Sequence, residues 1–462
     1  MKSILLACLV FAACTDEKML GTTTPPTPPD GPSAPAGPTG IGTPRWAVSI
    51  GTWANDAAEA IAIDSLGDVV AVGVTTTSPD QGSANVPTAP SAGFITKRVA
   101  SDGSERWRVT LSGSGEDSVT AEAVAIDGSN DVIVVGDFTG SVDFGGQTLT
   151  TAPQTGDAFV AEYASTGDLV WVDDLLALIG GAGLELDAIA VGADGKLIAG
   201  GLFEGTVELS GQSYTASTTF QGFVAAFDPT GTVAWGQGFS AQSIAQSLAV
   251  DPNGDVLVAG NFNEPTSFGG ATLDPAGTSS TYLARYRGSD GLYLSSDVVD
   301  GGANAQVVVD STGRVAVQTA VGSTASLGWS TMLDVADSSD TPLWSTPIPD
   351  TGDVGPQPRA LSTTPSGLIL SSAWGYSFSG GMATGELDVS AFGSDATPGV
   401  TSAGSLVTRV GGGTQVRASA VGSTGAVALA GTLNDDIAIG TTTLTHVGTE
   451  DTDALIVLID PP

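Results

Sequence analysis

Along this 462-residue chain one short element recurs seven times, each time as two runs of apolar β-formers joined by a turn with Gly or Asn at a fixed place. A second two-strand element follows each copy, and the chain carries 63 Gly but only 6% aromatic residues, so Val, Ile, Leu, Ala and Gly must build the core. These observations predict an all-β fold, a seven-bladed β-propeller of four-stranded antiparallel blades, closed by pairing the N- and C-terminal strands.

The first element reads AIAIDSLGDVVAVG from Ala60 and returns as AVAIDGSNDVIVVG, AIAVGADGKLIAGG, SLAVDPNGDVLVAG, QVVVDSTGRVAVQT, ALSTTPSGLILSSA and ASAVGSTGAVALAG. The turns begin at Asp64, Asp127, Gly192, Asp251, Asp310, Thr364 and Gly422, 54 to 65 residues apart. Three residues on stand Gly67, Asn130, Gly195, Gly254, Gly313, Gly367 and Gly425. Gly and Asn reach the left-handed region at least cost, so the shared constraint is a tight hairpin turn. Asp at the turn's head caps it with its own side chain.

The second element runs GFITKRVASDGSERW, DAFVAEYASTGDLVW, GFVAAFDPTGTVAW, TYLARYRGSDGLYL and TMLDVADSSDTPLW, with weaker forms around Glu386 and Ala454. Trp46, Trp107, Trp171, Trp235 and Trp344 mark the strand after it and read as blade-packing anchors. Short excursions such as SVDFGGQTLT, VELSGQSYT, TSFGGATLD and DIAIGTTTLT separate the two elements in several units. Strands such as Val132-Ile133-Val134-Val135 are apolar at every position, as a blade covered on both faces requires. The strand Trp46 to Ile50 lacks a preceding hairpin partner, and the sequence stops at Ile459-Asp460, where a Trp strand falls due. Joining the two is expected to complete a seventh blade.

The unit pattern, Ala-Ile-Ala-Val-Asp, two residues, Gly, then Val-x-Val-x-Gly, resembles that of bacterial extracellular β-propeller repeat proteins over nearly all of 46–462, best in the first four units. The stretch DPTGTVAW at 228–235 is similar to the blade motif of pyrroloquinoline-quinone-like propellers, which include lipoprotein scaffolds of outer-membrane assembly. Neither resemblance implies one activity, because the fold hosts enzymes and binding platforms alike.

Residues 1–13 read as a signal peptide, with Lys2 ahead of an apolar run too short to span a bilayer. Phe11-Ala12-Ala13-Cys14 resembles a lipobox, with Phe11 where Leu is usual, and makes Cys14 the expected lipidation site. Cys8 would leave with the signal, so the mature chain would hold no second thiol for a disulfide. Residues 14–20 form the lipidated N-terminus, 21–44 a linker with eight prolines, and 45–462 the propeller. At ~3.1 Å per residue in polyproline geometry the linker reaches at most about 75 Å. A cell-envelope protein, lipid-anchored to the outer membrane or cell surface, is expected.

With 14 Lys and Arg against 50 Asp and Glu, net charge −36, no cationic stripe for nucleic acid exists. The single histidine, His446, leaves no triad or zinc set, and no phosphate-loop or nucleophile-elbow motif occurs. No cofactor is expected, with calcium the one possibility. Asp251, Asn253 and Asp255 offer three oxygen-bearing side chains at alternating positions for calcium, although a capped turn explains them more simply. Trp374, Tyr376 and Phe378 form the one local aromatic cluster suited to ligand binding. Carboxylates are plentiful, among them Asp173, Asp174, Glu185, Asp187, Asp435 and Asp436, but no pair stands out. The expected function is a monomeric, non-catalytic binding or scaffolding platform for a protein or carbohydrate. The alternatives are a carboxylate-dependent carbohydrate-active enzyme and an envelope-assembly scaffold.

Overall fold

Where Asp heads the turn that punctuates the repeat, its side chain closes the turn. Asp64 Oδ1 accepts the N–H groups of Leu66 and Asp68 at 2.8 and 2.9 Å, and Asp127, Asp251 and Asp310 cap their turns in the same way. The residue three places on is left-handed in every copy, from Asn130 at φ 65° to Gly67 and Gly254 at 86°. The computed structural model describes residues 44–460 except 52–53, 77–90, 152–155, 176–178, 181, 218, 230, 300–301, 323–328, 349–353, 365–366, 368, 380–381, 393–399, 402–407, 410–414, 434–435, 440–441 and 448–451.

Each turn joins the first two strands of an antiparallel sheet. In chain order these are Ala57–Ile63 with Val69–Thr76, Ser118–Ile126 with Val132–Thr139, Ala182–Val191 with Leu197–Glu204, and Ser243–Val250 with Val256–Phe262. Then follow Ala303–Val309 with Val315–Gly322, Val354–Thr363 with Ile369–Ser379, and Gln415–Val421 with Val427–Leu433. Numbered one to seven in that order, sheets two to seven have four strands each.

Sheet one departs from the expected uniform blade and has six strands. Its outer strand Glu105–Gly113 is extended by Ser141–Asp143 and Thr148–Thr150, the excursion of the next unit, through Ser112↔Asp143 and Gly113↔Val142. An outer strand presents unpaired N–H and C=O groups, and a neighbouring hairpin that lies alongside will use them. In sheet seven the strand Asp453–Ile459 is flanked by Val427–Leu433 and by Pro44–Ile50, in register from Trp46↔Leu458 to Ile50↔Ala454.

Packing explains the apolar diet. Successive side chains of a strand point to opposite faces, so the second strand of each sheet feeds two different cores. Val70 and Val72 pack with sheet two, whereas Val69 and Ala71 pack with Ala426, Ala428 and Ala430 of sheet seven. Val132 and Val134 face sheet one while Ile133 and Val135 face sheet three. The same division recurs at Val256 and Val258 against Leu257 and Ala259. The first strands pack one against the next from sheet one to sheet seven, and that of sheet seven packs against that of sheet one.

Farther out the sheets diverge, and two devices fill the gap. Buried Val142, Phe144, Val207, Leu209 and Phe268 of the excursions plug it. The repeated Trp residues latch neighbouring sheets: Trp46, Trp107 and Trp235 donate Nε1–H to the carbonyls of Ala100, Ser165 and Gly288 at 3.0, 3.0 and 2.8 Å. Among the described residues no helix is long and apolar enough to cross a membrane.

Candidate functional site

Where the first strands meet, each is interrupted by a register shift. In six sheets it falls between Ala58 and Ala60, Ala121 and Ala123, Leu186 and Ala188, Ala245 and Ser247, Pro358 and Ala360, and Val416 and Ala418. The extra residue stands five before the turn's head. It is Glu59, Glu122, Asp187, Gln246, Arg359 and Arg417 in turn, with Ala305 at the corresponding place in sheet five, where the shift is wider. A bulge re-aims the side chain it inserts. Here the inserted residue is charged or an amide in six of the seven sheets, in strands that are otherwise mostly apolar.

The partner strand must make room. A Cβ at Gly73, Gly136, Gly201 or Gly260 would fall on the backbone carbonyl oxygen of Ala57, Thr120, Glu185 or Ile244. The last Gly of Val-x-Val-x-Gly is therefore the bulge's counterpart, a close-approach glycine.

From sheet to sheet the inserted residues change in charge: acids on sheets one to three, Gln and Ala on four and five, arginines on six and seven. Arg417 Nη1 reaches Oε1 and Oε2 of Glu59, each at 2.5 Å, and ties sheet seven to sheet one. Glu122 comes next. Burial, with Glu59 and Glu185 nearby, pushes its carboxyl up to about 7 against the opposing pull of Arg417. Burial raises Glu185, and burial together with Glu185 and Glu122 pushes Asp187 well up. Asp137, opposite Thr120 on the second strand of sheet two, is pushed well up by burial and by Glu122, Glu185, Asp187 and Asp157. Asp137 Oδ1 and Asp187 Oδ2 are buried and make no hydrogen bond.

A second carboxylate group lies at a turn. Asp127, Asp131 and Glu162 bring one oxygen each within 4.8 Å of one another. Sister sheets explain it. Lys97 of sheet one, Glu162 of sheet two and Arg285 of sheet four hold the same register opposite the second strand, at Val70, Ile133 and Leu257. Lys97 Nζ meets Asp64 at 2.8 Å and Arg285 Nη1 meets Asp251 at 2.7 Å, both pairs buried. Sheet two puts a third acid where its sisters put a cation. Asp127, Asp131 and Glu162 are the residues that would hold a hard divalent ion, which prefers oxygen ligands.

Asp251, Asn253 and Asp255, the residues expected for calcium, lie together at the turn of sheet four. Asp251 Oδ1 caps its turn by accepting from Asn253 and Asp255 N–H, and Oδ2 takes Arg285. Trp374, Tyr376 and Phe378 belong to the strand Ile369–Ser379, and their side chains lie outside the described residues. Cys14 also lies outside them. Glu185 and Asp187 come together with Glu122 and Asp137, whereas Asp173 and Asp174 sit on the outer strand Leu169–Asp174. His446 is half-buried, and its backbone N–H donates to Asp436 Oδ1 at 2.9 Å. Reading the repeat from Ala60, Ala123 and Ala188 stops one residue short of Glu59, Glu122 and Asp187. Extending the alignment by that residue exposes a column of mixed charge in an apolar strand, the signal that identifies the ring.

No protein-family model matches the chain, and no curated protein matches it. Among solved structures, the Dos1 propeller is similar at 12% identity and TM-score 0.46, over 91% of this chain and 96% of that one. The Pan2 WD40 domain of Neurospora crassa is similar at 11% and 0.45, over 87% and 89%. The quinohemoprotein alcohol dehydrogenase of Comamonas testosteroni is similar at 11% and 0.39, over 90% and 76%. Likenesses this distant carry no functional argument. The sheet topology itself makes the chain an all-β propeller with four-stranded antiparallel blades.

Proposed function

We propose that this protein is an exported lipoprotein, acylated at Cys14, whose Pro-rich segment 21–44 carries a closed seven-bladed propeller acting as a non-catalytic binding platform. Support for the blade count comes from counting the inner four strands of sheet one as a blade beside the six four-stranded sheets. Support for closure comes from the pairing of Pro44–Ile50 with Asp453–Ile459 and from the contact of sheet seven's first strand with that of sheet one. One observation carries the platform reading: a bulge at a common register places Glu59, Glu122, Asp187, Gln246, Arg359 and Arg417 around the inner ring. Bulges are costly irregularities in a ladder, and conserving one per sheet to project polar groups is how a scaffold builds a recognition surface.

Two measurements test the reading. Mass spectrometry of native material is expected to find a diacylglyceryl-modified Cys14 at the mature N-terminus, and a free thiol there overturns lipidation. A glycan and protein array with product analysis is expected to show capture without turnover. The raised carboxyls of Glu122 and Glu185 favour the second reading, a carboxylate-dependent carbohydrate-active enzyme. Cleaved saccharide whose release is abolished by Glu185→Gln would replace the platform by that enzyme.

A further inference from the structure

The acidic arc of the ring is more specific than its charge. Glu59 is answered by Arg417, but Glu122, Asp137, Glu185 and Asp187 gather where sheets two and three pack; burial raises all four, and neighbouring carboxylates raise Glu122, Asp137 and Asp187 further. Two of their oxygens, Asp137 Oδ1 and Asp187 Oδ2, are buried acceptors with no donor. A buried acceptor without a partner is expensive, and an ionised one more so, unless a donor arrives. We infer that the arc formed by sheets two and three is a binding site for an amine, with ammonium N–H groups supplied to Glu122, Asp137, Glu185 and Asp187. The inference rests on reading the ring as a recognition surface.

Spacing decides between an amine and a bare metal ion. Among the described residues, three ligand atoms approach within 4.8 Å of one another only at Asp127, Asp131 and Glu162. The arc's carboxylates are spread too widely to share one ion's coordination sphere. An alkylammonium carries three donors, and a polyamine carries several such groups along a flexible chain, so separate carboxylates can each be satisfied. The polarised ring adds orientation. A ligand bearing a carboxylate as well as the amine would lay the carboxylate toward Arg417 and the amine toward sheets two and three.

Isothermal titration calorimetry on the folded chain separates this from the diffuse attraction any protein of net charge −36 exerts on cations. Spermidine and a Lys-bearing peptide are the two probes, and calcium is the third arm. One saturable site for an amine is expected, weakened about tenfold or more in Glu185→Gln/Asp187→Asn through loss of charge-assisted hydrogen bonds. The charge-matched control Glu116→Gln/Asp274→Asn, at exposed positions outside the ring, is expected to bind as the parent does. Glu122→Gln is the second variant should the first fail to fold. Binding of spermidine identifies a free polyamine, and binding of the peptide alone identifies a polypeptide side chain. Equal weakening in the control, or tighter binding of calcium than of either amine at the arc, overturns the inference. Loss of amine binding alongside continued capture on the array leaves the platform standing, whereas turnover on the array removes the platform whatever the amine does.

Discussion

At Gly136 a single methyl group separates this fold from a strained one. The Cβ of Gly136→Ala would sit on the Thr120 carbonyl oxygen, in a backbone that cannot retreat because both strands belong to a paired sheet. The variant is expected to lose about 1–3 kcal/mol in urea denaturation, the usual range for overpacking a tight interior. An unchanged midpoint would mean that the bulge relaxes freely. Glu122 makes a pH prediction. Its carboxyl is raised from 4.5 to about 7 in the folded chain, so the unfolded chain releases this proton first as pH rises. Its contribution to stability is present in full below about pH 4.5 and is lost as pH climbs through about 7. The raised Asp137, Glu185 and Asp187 act in the same direction. Urea midpoints are expected to fall between pH 5 and pH 8, and Glu122→Gln is expected to flatten part of that fall. A parallel decline in the variant would remove Glu122 as a cause.

At the scale of the element, the repeated hairpin was legible because its constraints are local. Asp at the head and Gly or Asn three residues on satisfy the turn with atoms a few residues apart, so composition in one window reveals them. The charge partner of the capping Asp was not legible. Lys97, Glu162 and Arg285 arrive on another strand, and only the register against Val70, Ile133 and Leu257 shows that they are equivalent. That equivalence yields a test within the repeat. Glu162→Lys would place an ammonium opposite Asp127 and Asp131, as Lys97 stands opposite Asp64, and relieve three converging carboxylates. Its melting temperature is expected to exceed the parent's by about one degree in chelator-treated buffer, for about 1 kcal/mol of relieved repulsion in a unit of this size. A lower melting temperature would show that the Trp171 Nε1–H bond to Glu162 outweighs the repulsion.

For the whole molecule, the decisive contact joins distant parts of the chain. Pro44–Ile50 covers the edge of Asp453–Ile459, Arg45 pairs with Asp460, and Trp46 latches onto Ala100 of sheet one. A chain lacking residues 1–50 is expected to melt lower than one lacking residues 1–43 and to form higher oligomers on size-exclusion chromatography. The reason is an uncovered strand edge that templates pairing with another copy. Identical melting and elution would show that the strand is dispensable. Among the described residues the buried side chains fall into separate clusters between neighbouring sheets, so damage to one interface is expected to weaken its neighbours.

The amino-acid sequence by itself determined what local chemistry can fix: strands apolar on both faces, a left-handed turn in every unit, tryptophans at a regular interval and an overwhelmingly acidic surface. Those follow from periodicity and backbone sterics, which act within a few residues. Only the tertiary structure decided which residues share a site. Glu59 and Arg417 stand at opposite ends of the chain, and Asp137 joins Glu122, Glu185 and Asp187 only because second and first strands of adjoining sheets pack together. A bulge that adds one residue to a ladder leaves almost no trace in hydrophobic periodicity, yet it turns a side chain from the core to the inner ring. That small shift, repeated from sheet to sheet, sets charged residues into mostly apolar strands.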